Sequence, residues 1–385
     1  MRILFSIVAL LIITFNTYAQ NTCPEFAASS NIYAGLEIGS RGMKPTIVRF
    51  EEADNGKTSF ITMSKDLMPM NTNPAKAKSK ADIDCTVDRV VRYVNVFRND
   101  PYNVPDSRIT LIMSSGLKAK LLENGRDSLL HYLKDKVKRQ TGLTLLELSE
   151  KEEGEDKVNH LVVDEEYPYQ QVHVFDIGSG NITGGFCDKK AGQSVASFAT
   201  DGSINTITNF VKEAVQKNNW VMTNPYDRAK VAQLASQRFT EKHLSQMQFG
   251  TNPTNVVCGG GTAFTMMTWF KAESFGDKRL NNFFPVYVND YYNTLIDSKD
   301  KEEFFKDNRA KDNSPLTWKG KARMADAKSI FNDLEMLVGA AILKTICDDL
   351  VKKGTKNFYF DDQMLNSGLR YYLYKRYKGM ATAQN

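Results

Sequence analysis

Two stretches of this 385-residue sequence begin in the same way: residues 32–40 read IYAGLEIGS and residues 172–180 read VHVFDIGSG. Each is an apolar run typical of a buried strand, and each ends in an acidic residue followed by Ile-Gly-Ser. Glycine lets the backbone turn tightly and approach a ligand closely, and successive amides in such a turn form a concave site for anions. The repeat therefore predicts two similar halves, each with a phosphate-binding loop after its first strand.

The residues after each stretch predict a three-strand meander. In the first half, residues 44–53 are typical of a second strand, and an Asn-Gly hairpin turn separates them from a third strand at 58–64. In the second half, residues 181–188 and 193–200 have the same character. Both halves are thus expected to open with the same small antiparallel sheet.

Amphipathic helices follow these strands. Apolar residues recur at helical spacing over residues 87–97 and 129–137 in the first half, and over 204–211 in the second. A long helix is predicted over 329–353, closed by Gly354. Strand meanders interleaved with helices, in duplicate, indicate an α/β protein with two lobes and a cleft between them.

The N-terminus has the pattern of a signal peptide. Arg2 precedes an apolar run at residues 3–15, and Thr17-Tyr18-Ala19 supplies the small residues of a cleavage site, so residues 1–19 are predicted to be removed. The run is shorter than the about 20 residues that span a bilayer, and an uncleaved anchor is the weaker alternative. A periplasmic or secreted location is expected, with no membrane contact after cleavage.

Composition excludes some functions. A formal net charge of +5 over this length is compatible with anionic substrates but lacks the concentrated basicity of a protein that binds nucleic-acid duplexes. With 4 histidines and no paired CxxC motif, a zinc site is not expected. Cys187, Cys258 and Cys347 lie in apolar patterns and are predicted to be buried thiols. A Cys23–Cys85 disulfide is left open.

Four ordered segments resemble the Ppx/GppA family of exopolyphosphatases and guanosine pentaphosphate phosphohydrolases, within the actin-like ATPase (ASKHA) superfamily. Residues 113–120 (MSSGLKAK) followed by Asn-Gly are similar to the family's ATSALREA…N segment. Residues 141–154 (TGLTLLELSEKEEG) resemble TGLEIEVISGEEEA, and residues 175–185 (FDIGSGNITGG) resemble IDIGGGSTEL. Residues 361–373 (DDQMLNSGLRYYL) are similar to the C-terminal SDYGLREGLL.

This resemblance implies two actin-like (ribonuclease H-like) domains flanking a central cleft, over residues 30–165 and 166–380, and a Mg²⁺-dependent phosphoanhydride hydrolase. The resemblance places Glu153 on the catalytic glutamate that orients and deprotonates water, with Glu37 and Asp176 holding Mg²⁺. The residues expected to bind phosphate are Gly39, Ser40, Arg41, Lys118, Gly178, Ser179, Gly180 and Asn181. In this superfamily a GGT turn lies beside the nucleotide base or the outer phosphates. The resemblance assigns that turn to Gly259, Gly260, Gly261 and Thr262.

Several alternatives remain open at this point. Glu37 stands where the family has aspartate, and Asn181 and Thr183 stand where it has serine and glutamate, which favours a catalytically degenerate polyanion- or nucleotide-binding protein. An ecto-apyrase-like nucleoside di- or triphosphatase would also pair two such loops. Glu152 is the rival of Glu153 if the register shifts by one. The substrate is expected to be polyphosphate or a nucleotide, and the sequence leaves open whether the chain forms a homodimer.

Overall fold

The computed structural model describes residues 31–380 apart from 55–57, 64–66, 68–69, 124, 164–166, 189–194, 251, 274–279, 307–315, 362–363 and 365. The predicted signal peptide and Cys23 lie outside the described residues. Two six-stranded sheets, each covered by helices, form the framework of the chain.

The first sheet contains the predicted meander. Its strands are β1 Ile32–Ile38, β2 Gly42–Glu52, β3 Thr58–Thr62, β4 Met70–Asn71, β5 Ile109–Met113 and β6 Leu145–Glu147. Their order is β3-β2-β1-β5-β6, with β4 paired to β2. β1, β2 and β3 are antiparallel neighbours, as the sequence predicts, whereas β5 and β6 extend the sheet in parallel.

The second sheet repeats this plan. Its strands are β7 Gln171–Ile177, β8 Ile182–Asp188, β9 Ala196–Thr200, β10 Asn255–Gly260, β11 Leu280–Phe283 and β12 Asn357–Asp361. Their order is β11-β12-β10-β7-β8-β9, with an antiparallel β7-β8-β9 meander and parallel pairs of β10 with β7 and with β12. The α/β fold with two similar halves, predicted from the echo of IYAGLEIGS and VHVFDIGSG, is confirmed.

Helices connect and cover the strands. Their bounds are α1 Lys80–Arg98, α2 Ser115–Glu123, α3 Asp127–Thr141, α4 Glu150–Val163, α5 Ile204–Asn218, α6 Pro225–Lys242, α7 Gly261–Lys271, α8 Pro285–Asp297, α9 Lys301–Phe304, α10 Trp318–Ile330, α11 Asp333–Lys352 and α12 Ser367–Tyr377. Among these helices of the described chain, none has the length and apolar character needed to cross a membrane.

The long helix predicted over residues 329–353 is wrong at its start. α10 ends at Ile330, and α11 begins at Asp333. Asn332 caps α11: its side chain accepts from the backbone N–H of Glu335, whose carboxylate accepts from the Asn332 backbone N–H in return. This capping box satisfies two backbone donors at the helix start, so it fixes the break that apolar spacing alone does not show.

Two helices, α4 and α12, each pack against the half of the chain to which they do not belong in sequence. Gly154 on α4 packs so closely on the second sheet that a Cβ there would lie 3.0 Å from the Gly184 carbonyl oxygen. α12, which ends the described chain, returns to the first sheet, where Leu369 packs against Gly35 and Arg376 donates to the Ile109 carbonyl oxygen at 3.0 Å. The predicted division into residues 30–165 and 166–380 stays a prediction, and both helices make contacts across it.

The predicted cysteine environments agree with the structure. Cys187, Cys258 and Cys347 are all buried, in β8, β10 and α11 respectively. Burial raises the pKa of the Cys258 and Cys347 thiols, which keeps them protonated and unreactive at neutral pH. Cys85 is exposed on α1, and its pairing with Cys23 stays a prediction.

Candidate active site

The two Gly-Ser loops, which follow β1 and β7, contact each other between the two halves of the chain. Each loop is a tight turn: Gly39 N–H donates to the Gly42 carbonyl oxygen at 2.7 Å, and Gly178 N–H donates to that of Asn181 at 3.0 Å. The hydroxyl oxygens of Ser40 and Ser179 lie 2.6 Å apart, within hydrogen-bonding distance. We call the space between these loops the cleft. The sequence therefore predicts correctly which two turns converge.

Glycine at two positions permits this convergence. A Cβ on Gly180 would lie 2.8 Å from Gly116 Cα and 3.0 Å from its carbonyl oxygen. The second loop therefore rests directly on the first turn of α2, backbone against backbone. Asn181 can then donate through Nδ2 to the Ser115 hydroxyl at 2.7 Å, which connects the second loop with the first half of the chain.

Glu153 lies at the centre of this contact. Ser115 donates its hydroxyl to Glu153 Oε2 at 2.5 Å, and Glu153 Oε1 accepts from the Lys157 ammonium at 3.0 Å. The Glu153 side chain is 14% exposed, so it is largely but not fully shielded from solvent. The two loops predicted to bind phosphate and the Glu153 carboxylate therefore come together, while phosphate binding itself stays a prediction.

The neighbouring Glu152 has a different role. Its carboxylate accepts from the backbone N–H of Ser149 at 2.8 Å, and the Ser149 hydroxyl accepts from the Glu152 N–H at 3.2 Å. This is a second capping box, and it holds Glu152 at the start of α4. Of the two rival acids, Glu153 is the one connected to the second loop, through Ser115 and Asn181.

Lys157 is the feature that sequence reasoning missed. Its ammonium lies 2.7 Å from Asp176 Oδ2 and 2.6 Å from Thr183 Oγ1, in addition to its contact with Glu153. An ammonium has three N–H donors, so these three acceptors use all of them. Lys157 stands one helical turn after Glu153 and is therefore on the same face of α4. The four-residue spacing between Glu153 and Lys157 was the feature of the sequence that could have indicated their contact.

The charges in this cluster stabilise one another. Burial by itself would lower the pKa of Lys157, but the carboxylates of Asp176 and Glu153 hold it above its usual value. Burial would likewise raise the pKa of Glu153, yet the charge of Lys157 and the Ser115 hydrogen bond keep it below its usual value. Glu153 is therefore a carboxylate, and Lys157 an ammonium, at neutral pH.

Glu37 has a lysine partner of its own. Lys44 stands opposite it across the β1–β2 pair, and Lys44 Nζ lies 2.8 Å from Glu37 Oε1. Burial lowers the pKa of Lys44, but Glu37 and Asp176 outweigh that effect and raise it.

Both predicted Mg²⁺ ligands are thus already paired with ammonium groups. Mg²⁺ prefers near-octahedral oxygen ligands at about 2.0–2.1 Å and usually binds through one or two carboxylates. Glu37 and Asp176 instead contact Lys44 and Lys157. Within the described chain, no group of three or more Asp, Glu, His or Cys side chains has a metal-binding arrangement. Magnesium stays a prediction, and these side chains do not fit it.

Two further predicted phosphate ligands form ion pairs at the border of the cleft. The Arg41 guanidinium lies 2.7 Å from Glu335 Oε1, stacks over Phe331 at 4.8 Å, and also donates to the Ile330 carbonyl oxygen. Lys118 Nζ lies 2.5 Å from Glu147 Oε2. A phosphate that approached either cation would compete with the carboxylate already paired with it.

The glycines of the GGGT turn serve packing. Gly260 has φ of +91°, and a Cβ there would lie 2.3 Å from the Ile177 carbonyl oxygen, so only glycine fits. A Cβ added to Gly259 would likewise clash with the Met364 side chain, and one added to Gly261 would clash with that of Phe331. Thr262 is 1% exposed. A role in nucleotide or outer-phosphate binding for Gly259, Gly260, Gly261 and Thr262 stays a prediction, and this burial does not favour it.

No family model matches the chain, and no curated protein matches it significantly. Solved structures do resemble it, and they show that the chain has the fold of the Ppx/GppA proteins, the actin-like fold predicted from the four sequence segments. The Ppx/GppA family member from Aquifex aeolicus superposes with a TM-score of 0.62 at 15% identity, over 91% of this chain and 99% of that one.

Two other solved structures agree. An exopolyphosphatase-like protein gives a TM-score of 0.60 at 11% identity, over 91% of this chain and 100% of that one. An exopolyphosphatase from Cytophaga hutchinsonii gives a TM-score of 0.55 at 9% identity, over 92% of this chain and 100% of that one. At these identities the likeness shows the fold.

Proposed function

We propose that this protein is a phosphoanhydride hydrolase of the exopolyphosphatase type, which releases phosphate from polyphosphate or nucleoside polyphosphates. The observation that carries the proposal is the position of Glu153. Its carboxylate accepts from the Ser115 hydroxyl, which in turn accepts from Asn181 of the second loop, so Glu153 lies beside the two converging loops. The fold shared with proteins described as exopolyphosphatases supports the same reaction class.

The loops would hold the phosphate chain. A phosphate entering the cleft would replace the contact between the Ser40 and Ser179 hydroxyls, and both hydroxyls would then donate to phosphate oxygens. Backbone amides of the two turns would add further donors, as anion-binding nests do. Donors fixed by the fold favour charge that develops on the transferred group, because no reorganisation is needed during the reaction.

Glu153 would orient the attacking water. Its lowered pKa makes it a weak proton acceptor, so removal of a proton is its lesser contribution. Phosphoryl transfer passes through a loose transition state in which positioning and electrostatic stabilisation dominate. A carboxylate held in place by Ser115 and Lys157 is suited to positioning.

Phosphate release from tripolyphosphate, longer polyphosphate, ATP and GTP tests this proposal. Glu153→Gln removes the carboxylate and should lower kcat by at least about 100-fold, at the low end of what a positioned acid–base group contributes. Glu152→Gln is the matched control, since glutamine can also close a capping box, and it should retain activity. Equal activity of the two variants would refute the role of Glu153. Preference for ATP and GTP over polyphosphate would indicate an apyrase-type nucleotidase.

A second candidate is a polyanion-binding protein without hydrolytic activity. Lys157 favours it, because this residue occupies one Glu153 oxygen and pairs with the neutral Thr183 in place of a further acid. Wild-type protein that binds tripolyphosphate but releases no phosphate from any of the four substrates would establish this candidate over the hydrolase.

We also propose that the protein acts in the periplasm or outside the cell. The support is the sequence of residues 1–19 alone. N-terminal sequencing of the mature protein should begin at Gln20, and an intact N-terminus on a cytoplasmic protein would contradict export.

A further inference from the structure

We infer that Lys157 permanently takes the place of a divalent cation between Glu153 and Asp176, so that the cleft binds phosphate chains without Mg²⁺. The binding of phosphate chains rests on the proposed function, whereas the replacement of the cation rests on the geometry of Lys157 alone. The inference assigns Lys157 as a positioning residue that does not contact the substrate.

The ligands around Lys157 are those of a hard cation. Two carboxylate oxygens and one hydroxyl oxygen surround Nζ at 2.6–3.0 Å. Mg²⁺ is bound by the same classes of oxygen, at shorter distances. An ammonium and a divalent cation cannot share this position, since they would repel each other and compete for the same lone pairs.

Displacing Lys157 would be costly. The side chain is 7% exposed, and all three of its donors are used within the cluster. A cation that displaced it would leave a buried ammonium without acceptors, and an uncompensated buried charge strongly destabilises a folded protein. Lys44 adds a second barrier, because Glu37 would also have to exchange its 2.8 Å ion pair for the metal.

The charge balance has a functional consequence. The carboxylates of Glu37, Glu153 and Asp176 and the ammonium groups of Lys44 and Lys157 leave a formal charge of −1. A divalent cation in place of the Lys157 ammonium would bring that sum to zero. The cleft therefore relies more on hydroxyl and amide donors than a metal site does, and its affinity for phosphate is expected to be modest but insensitive to chelators.

Divalent cation binding tests the assignment directly. We would titrate Mn²⁺, followed by electron paramagnetic resonance of the free ion, into wild type and Lys157→Met. Methionine keeps the length of the side chain but removes the ammonium that lies between Glu153 and Asp176. Lys136→Met is the control, because it breaks a 2.6 Å ion pair with the single carboxylate of Asp84 outside the cleft.

Wild type and Lys136→Met should show no saturable Mn²⁺ site below about 1 mM, which is the weak end of protein sites for hard divalent cations. Lys157→Met should gain one site, and Mn²⁺ should raise its midpoint of thermal unfolding. A tight Mn²⁺ site in wild type would overturn the inference, even if Lys157→Met does not fold. So would a folded Lys157→Met that gains no Mn²⁺ site.

Isothermal titration with tripolyphosphate separates this inference from the proposed function. Wild type should bind tripolyphosphate in EDTA, and binding that appears only with Mg²⁺ would contradict metal independence. Absence of binding in both conditions would contradict the proposed function, while the Mn²⁺ titration would still decide the role of Lys157.

Discussion

Replacement of Gly180 by alanine should separate the second loop from α2 in the candidate active site. The new methyl carbon would lie 2.8 Å from Gly116 Cα and 3.0 Å from its carbonyl oxygen. Carbon atoms in contact prefer about 3.5–4.0 Å, so the second loop must move by roughly 0.7–1.2 Å. Both contacting groups are backbone, and no flexible side chain is available to yield.

The expected magnitudes follow from that displacement. Overpacking of this kind costs about 1–3 kcal/mol of unfolding free energy. The hydrogen bond from Asn181 to Ser115, 2.7 Å in the wild type, would be lengthened beyond a useful range. A misplacement of about 1 Å can lower a rate by about 100-fold, so phosphate release should fall by that order.

The control substitution is Gly368→Ala on α12. The nearest atom to a Cβ there is Asp156 Cβ at 3.9 Å, an ordinary contact, and alanine favours the helix. Urea unfolding and phosphate release would be measured for both variants. If the two variants have the same unfolding free energy and the same rate of phosphate release, the second loop does not approach α2 as closely as described.

Two further predictions concern a buried carboxyl group and an ion pair. Burial raises the pKa of Asp156 to about 6, so the folded state takes up a proton between pH 7 and 5 that the unfolded state does not. Lowering the pH over that range should therefore stabilise wild type by about 1 kcal/mol more than Asp156→Asn, measured by urea unfolding, and equal pH responses would contradict the assignment. Glu335→Gln should keep the cap of α11 but release Arg41 from its 2.7 Å ion pair. Tripolyphosphate should then bind about threefold to tenfold more tightly in calorimetry, and unchanged affinity would show that Arg41 does not reach the ligand.

The parts of the fold that could be predicted from sequence are those fixed by local patterns. The acid-Ile-Gly-Ser echo identified both meanders, because strand alternation and glycine turns act over a few residues. The break before α11 was missed, since the apolar spacing continues through it and only the Asn332–Glu335 capping box marks the new start.

The candidate site could likewise be predicted only in part. The approach of Ser40 to Ser179 could be expected from two similar loops at one cleft. The position of Lys157 could not, because its partners Asp176 and Thr183 come from another part of the chain. Only the fold places a lysine of α4 beside β7 and β8. The spacing from Glu153 to Lys157 showed that both residues lie on one face of α4, but it did not show which strands that face contacts.

The most direct test of phosphate binding in the cleft is a crystal structure with a non-hydrolysable imidotriphosphate. We predict a phosphate group between Ser40 and Ser179, within hydrogen-bonding distance of both hydroxyls, with a water molecule on Glu153. An intact Ser40–Ser179 contact with the ligand bound elsewhere, for example at the GGGT turn, would contradict the account.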